Sequence, residues 1–119
     1  MTLRLKNAAA ALDSTSSTSI YSCPINFTAR VKEIWIANID GTNAATIILQ
    51  WNDISAHPTG INYAIASTVS IAANDFLRIT DTNVILEAGD SINAQASAAN
   101  DLTVSLFIEE QLTISSRRV

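Results

Sequence analysis

Apolar and polar positions alternate with a period of two along most of the chain. Leu102, Val104, Leu106 and Ile108 alternate with Thr103, Ser105, Phe107 and Glu109. Ile92, Ala94, Ala96 and Ala98 alternate with Asn93, Gln95, Ser97 and Ala99, and Tyr63, Ile65, Ser67 and Val69 form one face of a third run. Successive side chains of a strand point to opposite faces, so this period predicts strands with one buried side. The residue types agree, because Ile and Thr lose side-chain freedom in a helix and pack well on a pleated surface. The alanines are scattered among Ile, Thr and Ser and build no helical stripe. The chain is predicted to be all-β.

Turn residues divide the runs into strands near 2–6, 18–22, 30–39, 44–52, 61–69, 76–80, 84–87, 91–98 and 102–110. Eight or nine short antiparallel strands predict an antiparallel β-sandwich, jelly-roll-like. Asp40-Gly41-Thr42-Asn43 is expected to close a hairpin, with Gly41 supplying a positive φ. Gly89 and Asp90 mark a second structural corner, in Glu87-Ala88-Gly89-Asp90, and Asp81-Thr82-Asn83 a third. The start of the chain differs: four alanines at 8–11 precede a small-polar tract at 13–19, which cannot build a core. Residues 1–17 are therefore expected to form an extended N-terminal arm, 18–112 the sandwich domain and 113–119 a C-terminal tail.

Two strands carry apolar residues on both faces, one around Ile34, Trp35 and Ile36 and the other around Ile47, Ile48 and Trp51. A half-solvated strand alternates more cleanly, so the second face calls for a cover. Leu3, Leu5, Trp35 and Trp51 are the candidate interface residues, and a homo-oligomer is expected. Burial of both tryptophans in one large core is the alternative.

With 119 residues the chain is the size of one domain. Seven Lys+Arg against eleven Asp+Glu give a net charge of −4, which argues against a nucleic-acid partner. No apolar run is long enough to span a membrane as a helix, and no signal peptide is expected. The single Cys23 excludes an intrachain disulfide, and the single His57, ahead of Pro58, has no second ligand at metal spacing. Asn38-Ile39-Asp40-Gly41-Thr42-Asn43 partly matches a calcium loop but lacks its terminal bidentate Glu. Glycine-rich phosphate loops and nucleophile elbows are missing from a sequence with three glycines. No catalytic residue, metal or cofactor is expected.

Three stretches together resemble small β-sandwich virion proteins of tailed bacteriophages. They are the run from Val31 through Asn38-Ile39-Asp40-Gly41-Thr42-Asn43, the corner Ile85-Leu86-Glu87-Ala88-Gly89-Asp90-Ser91-Ile92, and the stretch from Ala94 through Asn100-Asp101-Leu102-Thr103-Val104 ending in Phe107-Ile108-Glu109-Glu110. The resemblance implies a non-enzymatic virion component, foremost a capsid decoration or cement protein. Its partners would be the major capsid protein and further copies of itself, with a trimer suited to threefold positions of a shell. Assembly would take place in the host cytoplasm. A tail, neck or fibre-associated protein is the alternative, and a carbohydrate-binding sandwich with a tryptophan platform a more distant one.

Overall fold

The structure, a computed structural model, describes residues 3–113. Eight strands follow in order: β1 (Leu3–Ala11), β2 (Thr18–Ser22), β3 (Phe27–Asn38), β4 (Ala45–Asp53), β5 (Ile61–Ile71), β6 (Phe76–Leu86), β7 (Ser91–Ala96) and β8 (Leu102–Leu112). They form two four-stranded sheets in the orders β1-β8-β3-β6 and β2-β7-β4-β5. All neighbouring strands are antiparallel. The pairings β4·β5, β3·β6, β2·β7 and β1·β8 are nested about the loop between β4 and β5. One long hairpin wound over itself in this way is a jelly-roll sandwich.

The inward positions supply one core. Val31, Ile34 and Ile36 of β3 and Val104, Leu106 and Ile108 of β8 face Ile47 and Leu49 of β4 and Ile92 of β7, all buried. Leu12 is buried at the end of β1, and Leu86 at the end of β6.

Two corners differ from the sequence expectation. The 40–43 turn joins β3 of one sheet to β4 of the other, so it is a crossover and not a hairpin. Buried Asn38 makes the crossover possible. Its Nδ2 donates to the carbonyls of Asn43 (3.0 Å) and Ile71 (2.9 Å), and its Oδ1 accepts the Asp40 amide (2.9 Å). Asp40 then accepts the Thr42 amide at 3.0 Å and Asn43 Nδ2 at 3.2 Å. These side-chain bonds hold the turn, and Gly41 is not among the positive-φ residues. The corner expected at 81–83 is instead a bulge inside the continuous strand β6. Asp81 (φ 55) and Asn83 (φ 49) are left-handed there, and Thr82 Oγ1 donates to the Val31 carbonyl at 2.6 Å.

The connection between β6 and β7 turns at Gly89 and Asp90. Gly89 has φ 92, and a Cβ added to it would stand 3.1 Å from Ile54 Cγ2. The buried Asp90 carboxylate accepts the amides of Ile54 (3.0 Å), Ser55 (2.9 Å) and Glu87 (3.0 Å), tying the 53–60 loop to the β6–β7 connection.

Residues 3–11 of the expected arm are extended, but as the edge strand β1, paired to β8 without a break from Leu3↔Gln111 to Ala11↔Thr103. Their anchor is Glu110, a carboxylate on the inward face of β8 with no exposed surface. Arg4 of β1 and Tyr21 of β2 both donate to it, and Lys6 Nζ lies 4.0 Å away. Arg4 also sits 4.2 Å over the Phe27 ring. One carboxylate thus joins the N-terminal strand to both sheets. Burial alone pushes the Glu110 carboxyl up, but the hydrogen bonds from Tyr21 and Arg4 and the charges of Lys6 and Arg4 outweigh it and hold it below its usual range. Burial, then the bond to Glu110, pushes the Tyr21 phenol far above its ordinary value.

Two predictions follow from these anchors. Gly89→Val lowers unfolding free energy by ~1–3 kcal/mol through backbone strain, whereas Gly41→Val stays within about 0.5 kcal/mol. Urea denaturation of both variants measures the contrast. For Glu110, a folded-state pKa below the unfolded one makes its contribution complete above the unfolded value near 4.5 and loses it as pH falls through the lower folded value. Glu110→Gln therefore costs roughly 1.5–3 kcal/mol at neutral pH. Its urea midpoint also falls less than wild type's between pH 6 and pH 3.

Candidate interaction face

The outer face of the β1-β8-β3-β6 sheet follows from the registers. Successive cross-strand rows run Leu5·Glu109·Arg30·Ile85, Asn7·Phe107·Glu33·Thr80, Ala9·Ser105·Trp35·Arg78 and Ala11·Thr103·Ala37·Phe76. Leu3 extends the face at the β1 corner opposite Gln111. Large apolar side chains stand exposed here: Leu5 at 79%, Leu3 at 59%, Phe76 at 54%, Ile85 at 46% and Phe107 at 38%. Such an accumulation of apolar side chains makes this face the candidate interaction surface.

Three polar groups on this face, those of Arg78, Glu33 and Trp35, are paired with one another. Arg78 forms a fork with Glu33, Nε to Oε2 at 3.0 Å and Nη2 to Oε1 at 3.2 Å, and the Trp35 indole N–H donates to the same carboxylate. The hydrogen bond from Arg78, ahead of that from Trp35, holds the Glu33 carboxyl below its ordinary range. The Trp35 ring stacks on Phe76, centroids 5.3 Å apart and planes 21° apart, with Arg78 Cζ at 5.1 Å on the ring.

The opposite outer face, on β2-β7-β4-β5, has a different chemistry. Thr46, Gln50 and Asn52 of β4 and Asn93 and Gln95 of β7 give uncharged amides and hydroxyls around the half-buried Ile48, with Asn52 Nδ2 donating to Asn62 Oδ1 at 2.9 Å.

Of the four candidate interface residues, the fold brings Leu3, Leu5 and Trp35 to one face. Trp51 lies elsewhere: it packs against the core from β4 and stacks on Tyr63 at 5.0 Å. The two tryptophans therefore share neither a core nor a surface. Phe76, Ile85 and Phe107 belong to the face and were not singled out in the sequence, although Phe107 sits on the polar side of the alternating 102–109 run.

The residues weighed for chemistry are engaged otherwise. His57 Nε2 lies 4.0 Å from the Asp53 carboxylate, and no group of three potential metal ligands occurs among the described residues. Ser55, two residues away, donates its hydroxyl to Asp90 at 3.0 Å. Cys23 is buried with its Sγ 3.3 Å from the Phe27 carbonyl. Burial first, then the charges of Glu110 and Asp90, pushes its thiol up and away from the nucleophilic thiolate.

No protein-family model matches the sequence, and no curated protein does. Solved structures share the fold. The chain is similar to a chain of infectious bursal disease virus, Gx strain, at TM-score 0.59 and 9% identity, over 98% of this chain and 35% of that one. It therefore spans about a third of the length of the viral chain. A chain from the acid-stable capsid of Helicobacter pylori bacteriophage KHP30 aligns at TM-score 0.56 and 10% identity, over 96% of this chain and 90% of that one. The Drosophila NLP core, studied for pentamer formation and histone binding, aligns at TM-score 0.55 and 9% identity, over 90% and 97%. At such identities the likeness is one of fold alone.

Proposed function

We propose that the chain is a bacteriophage virion structural protein, specifically a capsid decoration (cement) protein that binds the outer surface of the head and stabilises it. The observation that carries this reading is the exposed apolar face of Leu3, Leu5, Phe76, Ile85 and Phe107 on a rigid sheet. The jelly-roll fold, shared with a phage capsid chain, supports it. The face contacts the major capsid protein, and a shell that repeats the same site many times turns modest single contacts into high occupancy. A free, buried Cys23 suits assembly in a reducing host cytoplasm.

Tail, neck and fibre sites would use the same face, and copy number separates them. Electron microscopy of the particle is expected to show the chain on the head, at a copy number on the order of hundreds. Density confined to the tail or neck overturns the decoration role. A glycan-binding role finds less support, because Trp35 is already stacked by Phe76 and Arg78 and Trp51 leans on the core.

Substitution tests the face directly. Leu5 is 79% exposed and contributes nothing to the core, so Leu5→Ser and the double variant with Phe107→Ser keep the wild-type thermal midpoint. Co-sedimentation with particles stripped of the chain is expected to weaken tenfold or more for the double variant, about 1.4 kcal/mol or more of contact energy. Undiminished binding removes this face from the capsid contact.

A further inference from the structure

The four edge strands of the sandwich are not equivalent. β2 has only five residues and a register shift between Ser19 and Tyr21. β5 departs from regular pairing twice, with left-handed Thr68 (φ 54) at one irregularity. β6 carries the 81–83 bulge. Bulges, shortness, proline and charged side chains are how natural sheets protect an edge against pairing with another chain. β1 has none of the first three: nine residues pair with β8 in unbroken register with no proline, and its two charges, Arg4 and Lys6, are turned inward to Glu110.

The outward hydrogen-bonding groups of β1 can be assigned. The Leu12 amide donates to the Leu102 carbonyl at 2.9 Å, and the Leu12 carbonyl accepts from the Asn100 amide at 2.8 Å. Main-chain groups alternate sides along a strand, so Arg4, Lys6, Ala8 and Ala10 also bond to β8. The amide of Ile39, just past β3, donates to the Asp101 carbonyl at 2.7 Å, which turns the odd residues of β8 to β3 and its even residues to β1, in agreement. The amides and carbonyls of Leu3, Leu5, Asn7, Ala9 and Ala11 are therefore left on the open edge.

We infer that β1 pairs antiparallel with β1 of a second copy, about a two-fold axis at Asn7, to give a dimer with one continuous eight-stranded sheet. In this register Asn7 faces Asn7, Leu5 faces Ala9 and Leu3 faces Ala11 of the other copy. Every one of these residues has its main-chain groups on the open edge, so each pair closes both bonds, about ten across the dyad. The side chains fit as well. The strand is large and cationic in its first half and alanine in its second, so the two-fold sets Arg4 and Lys6 against Ala10 and Ala8. A parallel pairing would oppose like charge to like charge and leucine to leucine. The same operator joins the two apolar outer faces side by side. Such a dimer takes the place of the trimer expected from the sequence, and it stands independently of the virion reading because its tests use the purified chain alone.

Asn7→Pro is the decisive variant. Its lost N–H points to the open edge and serves no bond within the protomer, and proline is tolerated at such positions. Sedimentation at micromolar concentration is expected to show wild type as a dimer and Asn7→Pro as a monomer with an unchanged circular dichroism spectrum. Register is tested separately with Asn7→Cys. The two thiols then meet across the dyad, at the ~5.5 Å Cα spacing of a hydrogen-bonded pair, within disulfide reach. Mild oxidation is expected to cross-link Asn7→Cys and to leave Ala11→Cys uncross-linked. A wild-type monomer or trimer, a dimer that survives Asn7→Pro, or equal cross-linking at both positions overturns the proposal.

Discussion

The nesting of strands about the loop between β4 and β5 is the constraint from which the remaining structure follows. Once β4 and β5 pair, β3 can reach β6, β2 can reach β7, and β1 can reach β8, each pair closing a longer loop than the one before. Every pairing is fixed by the same alternation, since a slip of one residue would turn a strand's apolar set to solvent. The cost is that each strand has only one inward side. With two sheets and one core between them, both outer faces must meet something else, and any specific interaction has to be written there.

How much of this was legible depends on the range of the interactions concerned. Six of the eight strands, all but β1 and β6, lie where alternation and turn residues place them, since those signals are local. β6 was divided because Asp81-Thr82-Asn83 has the composition of a corner. Only the bond from Thr82 to Val31, a residue of another strand, makes it a bulge. The 40–43 turn was read as a hairpin for a similar reason. Asp and Asn in a turn bond nearby amides equally well in a hairpin and in a crossover, and the decision lies with Asn38, whose amide reaches the Ile71 carbonyl. The N-terminal strand is legible in the sequence only near 2–6, and its continuation to Ala11 is not, because its anchor is remote: Arg4 and Lys6 look like solvated charges until Glu110, 106 residues after Arg4, is seen beneath them. A glutamate at an inward position of the alternating last strand was the available signal. The interaction face was half legible, through Leu3, Leu5 and Trp35. Its other members needed the register of β3, β6 and β8 to be known.

The turns show how a chain with three glycines bends so often. Asn26, Asn74, Asn83 and Asn100 adopt left-handed conformations, as does Asp81. Short polar side chains visit that region at low cost because they bond locally to the backbone. Gly89 is kept where a side chain would have met Ile54. Thr68 is the exception, a β-branched residue held left-handed within β5, and the irregularity it creates also spoils that edge for pairing.

The chemistry of the two outer faces then assigns an orientation to the proposed assembly. One face offers exposed leucine, isoleucine and phenylalanine with a self-neutralised Arg78–Glu33 pair and the charges of Arg30 and Glu109; the other offers uncharged amides and hydroxyls around Ile48. Desolvating the first is favoured by its exposed leucines, isoleucine and phenylalanines, and its Arg78–Glu33 pair is already satisfied within the face; Arg30 and Glu109, next to Leu5, are the charges a covering surface has to match. Desolvating the second would strip water from many amides, each needing a matched partner. In the proposed decoration role, the face of Leu3, Leu5, Phe76, Ile85 and Phe107 would be the one turned to the capsid and the amide face the one left in water. Pairing through β1 preserves this division, since a two-fold normal to the sheet brings both apolar faces to the same side. The dimer would present a single surface of twice the area, which is the condition under which contacts too weak to hold one copy can hold two.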